Sequence, residues 1–108
     1  MFRKIKRIFN RSSKEMSSLQ EMQKILSNGG VLLDVRSNQE YEEGHLPSAI
    51  CLPVYHLKTK IGEVVPNKQT TIVVYCSSGS RSKQAKMQLE QMGYQKVYNL
   101  NGGLNSIS

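Results

Sequence analysis

The sequence predicts an α/β domain, a small parallel β-sheet with helices on both faces. Three observations carry that expectation. Two short runs, Val31 to Val35 and Thr71 to Tyr75, are mostly apolar and rich in β-branched or aromatic residues, as strands buried on both faces are. Apolar residues between and after these runs recur at helical spacing, so strands alternate with helices, the order that builds a parallel sheet. A loop of small residues, Cys76-Ser77-Ser78-Gly79-Ser80-Arg81-Ser82, joins the second run to a helical pattern. Parallel sheets hold ligands at such strand-to-helix junctions, beyond the strands' carboxyl ends.

Along the chain, residues 1–16 read as a basic N-terminal arm, flexible or a short amphipathic helix, and residues 17–108 as the domain. In the arm, Phe2, Ile5, Ile8 and Phe9 fall on one side of a helical projection with cations between them, a pattern of weak membrane-surface or partner contact. Ser18-Leu19-Gln20-Glu21 has the form of a capping box, and Leu19, Met22, Ile25 and Leu26 continue at helical spacing until Asn28-Gly29-Gly30. A helix is expected from about 18 to 28. The strand Val31 to Val35 follows and contains Asp34, whose carboxylate is costly in an apolar run unless it accepts hydrogen bonds or faces a cation. Asp34 is therefore read as a supporting residue that fixes loops at the strand's end, with Arg36 pairing one of Glu40, Glu42 or Glu43.

A helical turn around Gln39 to Glu43 leads into the loop Gly44-His45-Leu46-Pro47-Ser48 and a short strand from Ala49 to Leu52, closed by Pro53. A single His in a turn reads as a packing or hydrogen-bonding residue rather than a general base, and Cys51 as a small core hydrophobe. His56 falls in a helix from about 54 to 63. After the turn at Pro66-Asn67-Lys68 come the strand Thr71 to Tyr75, the cysteine loop and a helix with Ala85, Leu89 and Met92 on one face, ending at Gly93. Lys96 to Leu100 is the last strand, and Asn101-Gly102-Gly103 turns into a short final segment.

The cysteine loop carries the chemistry. Cys76 stands at a strand's carboxyl end facing a helix amino terminus, where unpaired N–H groups and about half a positive charge favour an anion. An ordinary cysteine is only about 3% thiolate at pH 7, and a helix terminus or a neighbouring arginine raises that fraction steeply. Ser77, Ser78, Gly79 and Ser80 are small enough for the backbone to curl its N–H groups around an anion, Gly79 is free to take a positive φ, and Arg81 supplies a fork of donors. Cys76 is read as a nucleophile in an anion cradle, with Ser82 in support.

Composition narrows the class. The formal charge of +7 is concentrated in residues 1–14, which hold six cations and no acid, while the remainder has nine cations against eight acids. A nearly neutral domain gives nucleic-acid binding little electrostatic support. Two separated Cys and two isolated His residues do not make a metal site, and no cofactor motif is present. No signal-peptide pattern and no run near the roughly 20 apolar residues of a membrane span are seen, so a cytoplasmic location is expected; a monomer is expected as well.

Asp34-Val35-Arg36, Glu43-Gly44-His45-Leu46-Pro47-Ser48-Ala49-Ile50, the loop from Cys76 to Ser82 and Asn101-Gly102-Gly103, in that order, resemble the single-domain rhodanese family over about residues 17 to 106. The resemblance implies a rhodanese-like fold and a sulfurtransferase in which Cys76 takes sulfane sulfur from thiosulfate or another donor as a persulfide and gives it to cyanide, a thiol or an acceptor protein. It makes the loop through Arg81 the anion-binding element. The six residues from Cys76 to Arg81 match the sulfur-transferring members, whereas related phosphatases and arsenate reductases use one residue more. A sulfur carrier or binding module without turnover is the alternative. Two departures stand out: Ser48 where the family often has Gly, and no Trp after Gly102-Gly103, which implies a weaker C-terminal helix and a more open pocket rim.

Overall fold

In the computed structural model, residues 15–16 and 19–107 are described. Chain order is β1 (Glu15–Met16), α1 (Leu19–Ser27), β2 (Val31–Asp34), α2 (Asn38–Glu43), β3 (Ile50–Cys51), a 3-10 turn (Val54–His56), α3 (Leu57–Val64), β4 (Thr71–Tyr75), α4 (Ser80–Gln91), β5 (Lys96–Leu100) and a final 3-10 turn (Gly103–Ser106). All strand pairs are parallel, in the order β1-β5-β4-β2-β3. The expected fold class is therefore found, with β4, which leads into Cys76, at the centre.

Alternation along β4 divides the interior. Ile72, Val74 and Cys76 face one way and pack with Leu57, Ile61, Ala85 and Leu89 of α3 and α4. Val73 and Tyr75 face the other way and pack with Met22 of α1, Ala49 and Leu100, joined by Leu104 and Ile107 from the chain's end. Both faces of the sheet are thus covered, which is why its strands read as near-continuous apolar runs.

Several boundaries differ from expectation. Glu15 and Met16, assigned to the arm, pair with Asn99 and Leu100 as an edge strand, so the sheet begins before residue 17. The remainder of the arm, including Phe2, Ile5, Ile8 and Phe9, and the capping residue Ser18 lie outside the described residues. The helix expected from 54 to 63 is a 3-10 turn followed by α3, because His56 N–H bonds back to the Pro53 carbonyl at 2.9 Å before the wider helical register is established. The C-terminal helix is a single 3-10 turn. Cys51 is not a core residue: β3 pairs with β2 alone, and at this sheet edge its half-buried Sγ lies 3.1 Å from Asn38 Oδ1.

Candidate active site

Cys76 sits one residue beyond β4 and is fully buried. Its Sγ accepts from the Gly79 N–H at 3.1 Å and the Ser82 N–H at 3.3 Å, and lies 3.4 Å from Ser82 Oγ. The loop can curl this tightly because Gly79 adopts φ +107°, a left-handed conformation open to glycine. A Cβ there would lie in van der Waals contact with the backbone of Gly102. Burial by itself pushes the Cys76 thiol up, but bonds from the Ser82 side chain and from the backbones of Ser82, Gly79 and Ser78 outweigh it, and the thiol lies below its ordinary value. A buried sulfur is thereby made acidic by fixed dipoles rather than by contact with water.

The outer side of the loop is tied to the chain's end. Leu104 N–H donates to the Cys76 carbonyl and Asn105 N–H to the Ser77 carbonyl, each at 2.9 Å. Gly103, with φ +63°, makes this approach feasible: a Cβ there would overlap both of those carbonyl oxygens. Gly103 is thus a packing requirement of the cysteine loop, not merely a turn residue, while a Cβ at Gly102 would meet Ser106.

Arg81 is placed differently from expectation. Its two terminal nitrogens are engaged by Glu40, Nη1 to Oε1 at 2.7 Å and Nη2 to Oε2 at 3.0 Å. Glu40 is held in turn by Ser37, whose N–H and Oγ both donate to Oε1 at 3.1 Å, completing a capping box at the start of α2. The Arg81 guanidinium, followed by the Ser37 bonds, draws the Glu40 carboxyl down to about 2. The donors gathered around the sulfur are backbone amides and Ser82, while the arginine fork is already bound to a carboxylate. Ser77 contributes its carbonyl to the C-terminal tie.

Arg36 is also corrected. It pairs with Asp34, not with Glu40, Glu42 or Glu43: Nη2 lies 2.7 Å from Oδ2 and Nε 3.0 Å from Oδ1, and both side chains are buried. A two-residue separation across the strand end brings them together. The same carboxylate accepts the Arg36 backbone N–H at 3.0 Å, and Arg36 Nη2 donates to the Gly44 carbonyl at 2.6 Å, so the Asp34–Arg36 pair ties the end of β2 to the loop after α2. Tyr75 completes this region. Its hydroxyl accepts the Leu46 N–H at 3.0 Å, and burial, foremost, pushes its ionisation well above the ordinary tyrosine range.

His45 stacks on Tyr41 with ring centroids 3.7 Å apart, and its Nδ1 lies 2.8 Å from the Tyr41 carbonyl, so it closes α2 rather than facing the sulfur. Sequence reasoning missed Glu40 as the partner of Arg81, although Ser37-x-x-Glu40 is a legible capping box. It also missed the amides of Leu104 and Asn105, for which no side-chain signal exists. Among the described residues, no group of three His, Cys, Asp or Glu could hold a metal ion.

With this geometry in hand, similarity to known proteins is informative. The family model for the rhodanese-like domain matches residues 18–108. Thiosulfate sulfurtransferase PspE of Escherichia coli is 42% identical over 76 residues, covering 70% of this chain and 72% of that protein. A solved E. coli rhodanese with bound anions superposes with a TM-score of 0.68 at 40% identity, covering 74% of this chain and 93% of that one. The human single-domain sulfurtransferase TSTD1 superposes with a TM-score of 0.76 at 26% identity, over 89% and 96% of the two chains.

Proposed function

This chain belongs to the rhodanese-like family and is a sulfurtransferase, and we propose that it works through a persulfide formed on Cys76. The observation that carries the reading is the convergence of two backbone N–H groups and a hydroxyl on one buried sulfur. In the first half-reaction the Cys76 thiolate attacks the outer sulfur of thiosulfate. A new S–S bond forms, the donor's S–S bond breaks, and its electron pair leaves with sulfite. The negative charge on the terminal persulfide sulfur is then met by N–H groups of the loop.

In the second half-reaction an acceptor such as cyanide or a thiol attacks that terminal sulfur, the persulfide bond breaks, and the Cys76 thiolate returns. The short loop from Cys76 to Arg81 and the helix start behind it direct the Gly79 and Ser82 amides onto one sulfur atom, which supports sulfur transfer over chemistry on a tetrahedral oxyanion. Since Cys76 is enclosed, entry of a donor requires the mouth of the loop to widen. Cys51 and Cys76 are both free thiols, which suits a reducing compartment, and there we place the protein.

Intact-mass measurement after exposure to thiosulfate tests the reading. Gain of one sulfur by the wild type, its removal by cyanide, and no gain by Cys76→Ser are expected. Sulfur gained equally by the Cys76→Ser protein would refute it.

A further inference from the structure

Both arginines near the cysteine loop arrive already paired with carboxylates. Arg36 is held by buried Asp34, and Arg81 is held at both terminal nitrogens by Glu40. Lys86, further along α4, is paired with Glu90 at 3.0 Å. At the sulfur the attraction for an anion comes from amide dipoles, which act within a few ångströms, and the longer-ranged charge of Arg81 is offset by its neighbour, with exposed Lys83 of α4 outside these ion pairs. Such a site stabilises charge on the single sulfur seated inside it. It gives little to a second or third charge carried outside.

We propose that Glu40 is a specificity-determining residue: by holding Arg81 it weights the site against dianionic donors such as thiosulfate and toward organic persulfides of low net charge. The inference rests on the sulfur-transfer reading above, and it assigns to Glu40 a role that acts through Arg81 rather than by touching the donor. Glu40 is well suited to it, because the Ser37 N–H and Oγ fix its carboxylate independently of Arg81. The pair consequently links the Ser37 cap of α2 to the first turn of α4, whose Ser82 amide reaches the sulfur.

Glu40→Gln is the discriminating variant. Glutamine at this helix position still completes a capping box, so the charge is removed while the cap is kept. In a Cys51→Ser background, the rates of alkylation of Cys76 by iodoacetate and by iodoacetamide are compared. In both reactions the thiolate attacks the CH2 carbon, a C–S bond forms and iodide leaves, and the reagents differ chiefly in charge. Freed Arg81 is expected to raise the iodoacetate-to-iodoacetamide ratio about three-fold or more at low ionic strength. The gain should shrink in about 1 M salt, where the Debye length is about 3 Å. Thiosulfate kcat/KM should rise relative to that for cysteine persulfide, whose backbone charges cancel.

A ratio that is unchanged or lower in Glu40→Gln overturns the assignment. Because alkylation does not depend on sulfur transfer, failure of the wild type to load sulfur from any donor would refute the proposed function, while the alkylation ratio would still judge Glu40 separately.

Discussion

Gly103→Ala tests the tie between the chain's end and the cysteine loop. Gly103 has φ +63°, where an L-residue is strained by about 1 kcal/mol or more. The new methyl would also overlap the Cys76 carbonyl oxygen and approach the Ser77 carbonyl oxygen to 2.6 Å, so backbone must move. Overpacking of this kind costs about 1–3 kcal/mol, and the stiffer unfolded chain returns only about 0.4–1 kcal/mol. The net loss is about 1–4 kcal/mol, or about 4 °C or more in Tm for a domain of this size. Two other glycines isolate the contributions. Gly29, with φ +92° and open space around it, should lose only the strain on replacement by Ala, whereas Gly62 lies inside α3 with nothing nearby and should gain up to about 1 kcal/mol. Urea unfolding of the three variants gives the stability order, and iodoacetamide alkylation of Cys76 reports the loop. A Gly103→Ala protein within about 1 kcal/mol of wild type, with an unchanged alkylation rate, would refute the reasoning.

Three further outcomes follow from particular groups. Ser48 holds φ +70°, the one positive value at a described non-glycine residue, so Ser48→Gly should stabilise by about 0.5–1 kcal/mol in urea unfolding. Ser82→Ala removes the hydroxyl 3.4 Å from Cys76 Sγ, whose hydrogen bond lowers the thiol's pKa, so the thiol should become less acidic and the pH–rate profile for alkylation of Cys76 should move to higher pH; a profile moved to lower pH would contradict the geometry. Glu40 ionises at about 2 when folded, against an ordinary 4.5, so its contribution is complete above about pH 4.5 and is lost as pH falls toward 2. With its side chain 34% exposed, solvent screening keeps that contribution small, and the stability curve of Glu40→Gln should be the flatter of the two on this acid limb.

The parts legible in the sequence are those written in side-chain pattern. Val31 to Val35 and Thr71 to Tyr75 announced a sheet covered on both faces because burial on two sides demands continuous apolar runs. Cys76 and Gly79 were legible because a small-residue loop between strand and helix has a backbone reason for each member. Arg81 misled for a general reason: a guanidinium suits any carboxylate or oxyanion, and which one it meets depends on how α2 lies against α4. Arg36 misled through proximity, since three glutamates downstream drew attention from an aspartate two residues upstream. Glu15 and Met16 were given to the arm because a two-residue edge strand leaves no periodicity to read.

The amides of Leu104 and Asn105 have an effect beyond anchoring. In a trans peptide the carbonyl and the following N–H point in opposite directions. Drawing the Cys76 and Ser77 oxygens toward the C-terminal turn therefore keeps two electronegative atoms turned from the sulfur and leaves the next hydrogens free to lean toward it. Residues near the chain's end thus help to set which way the peptide dipoles point around the Cys76 sulfur.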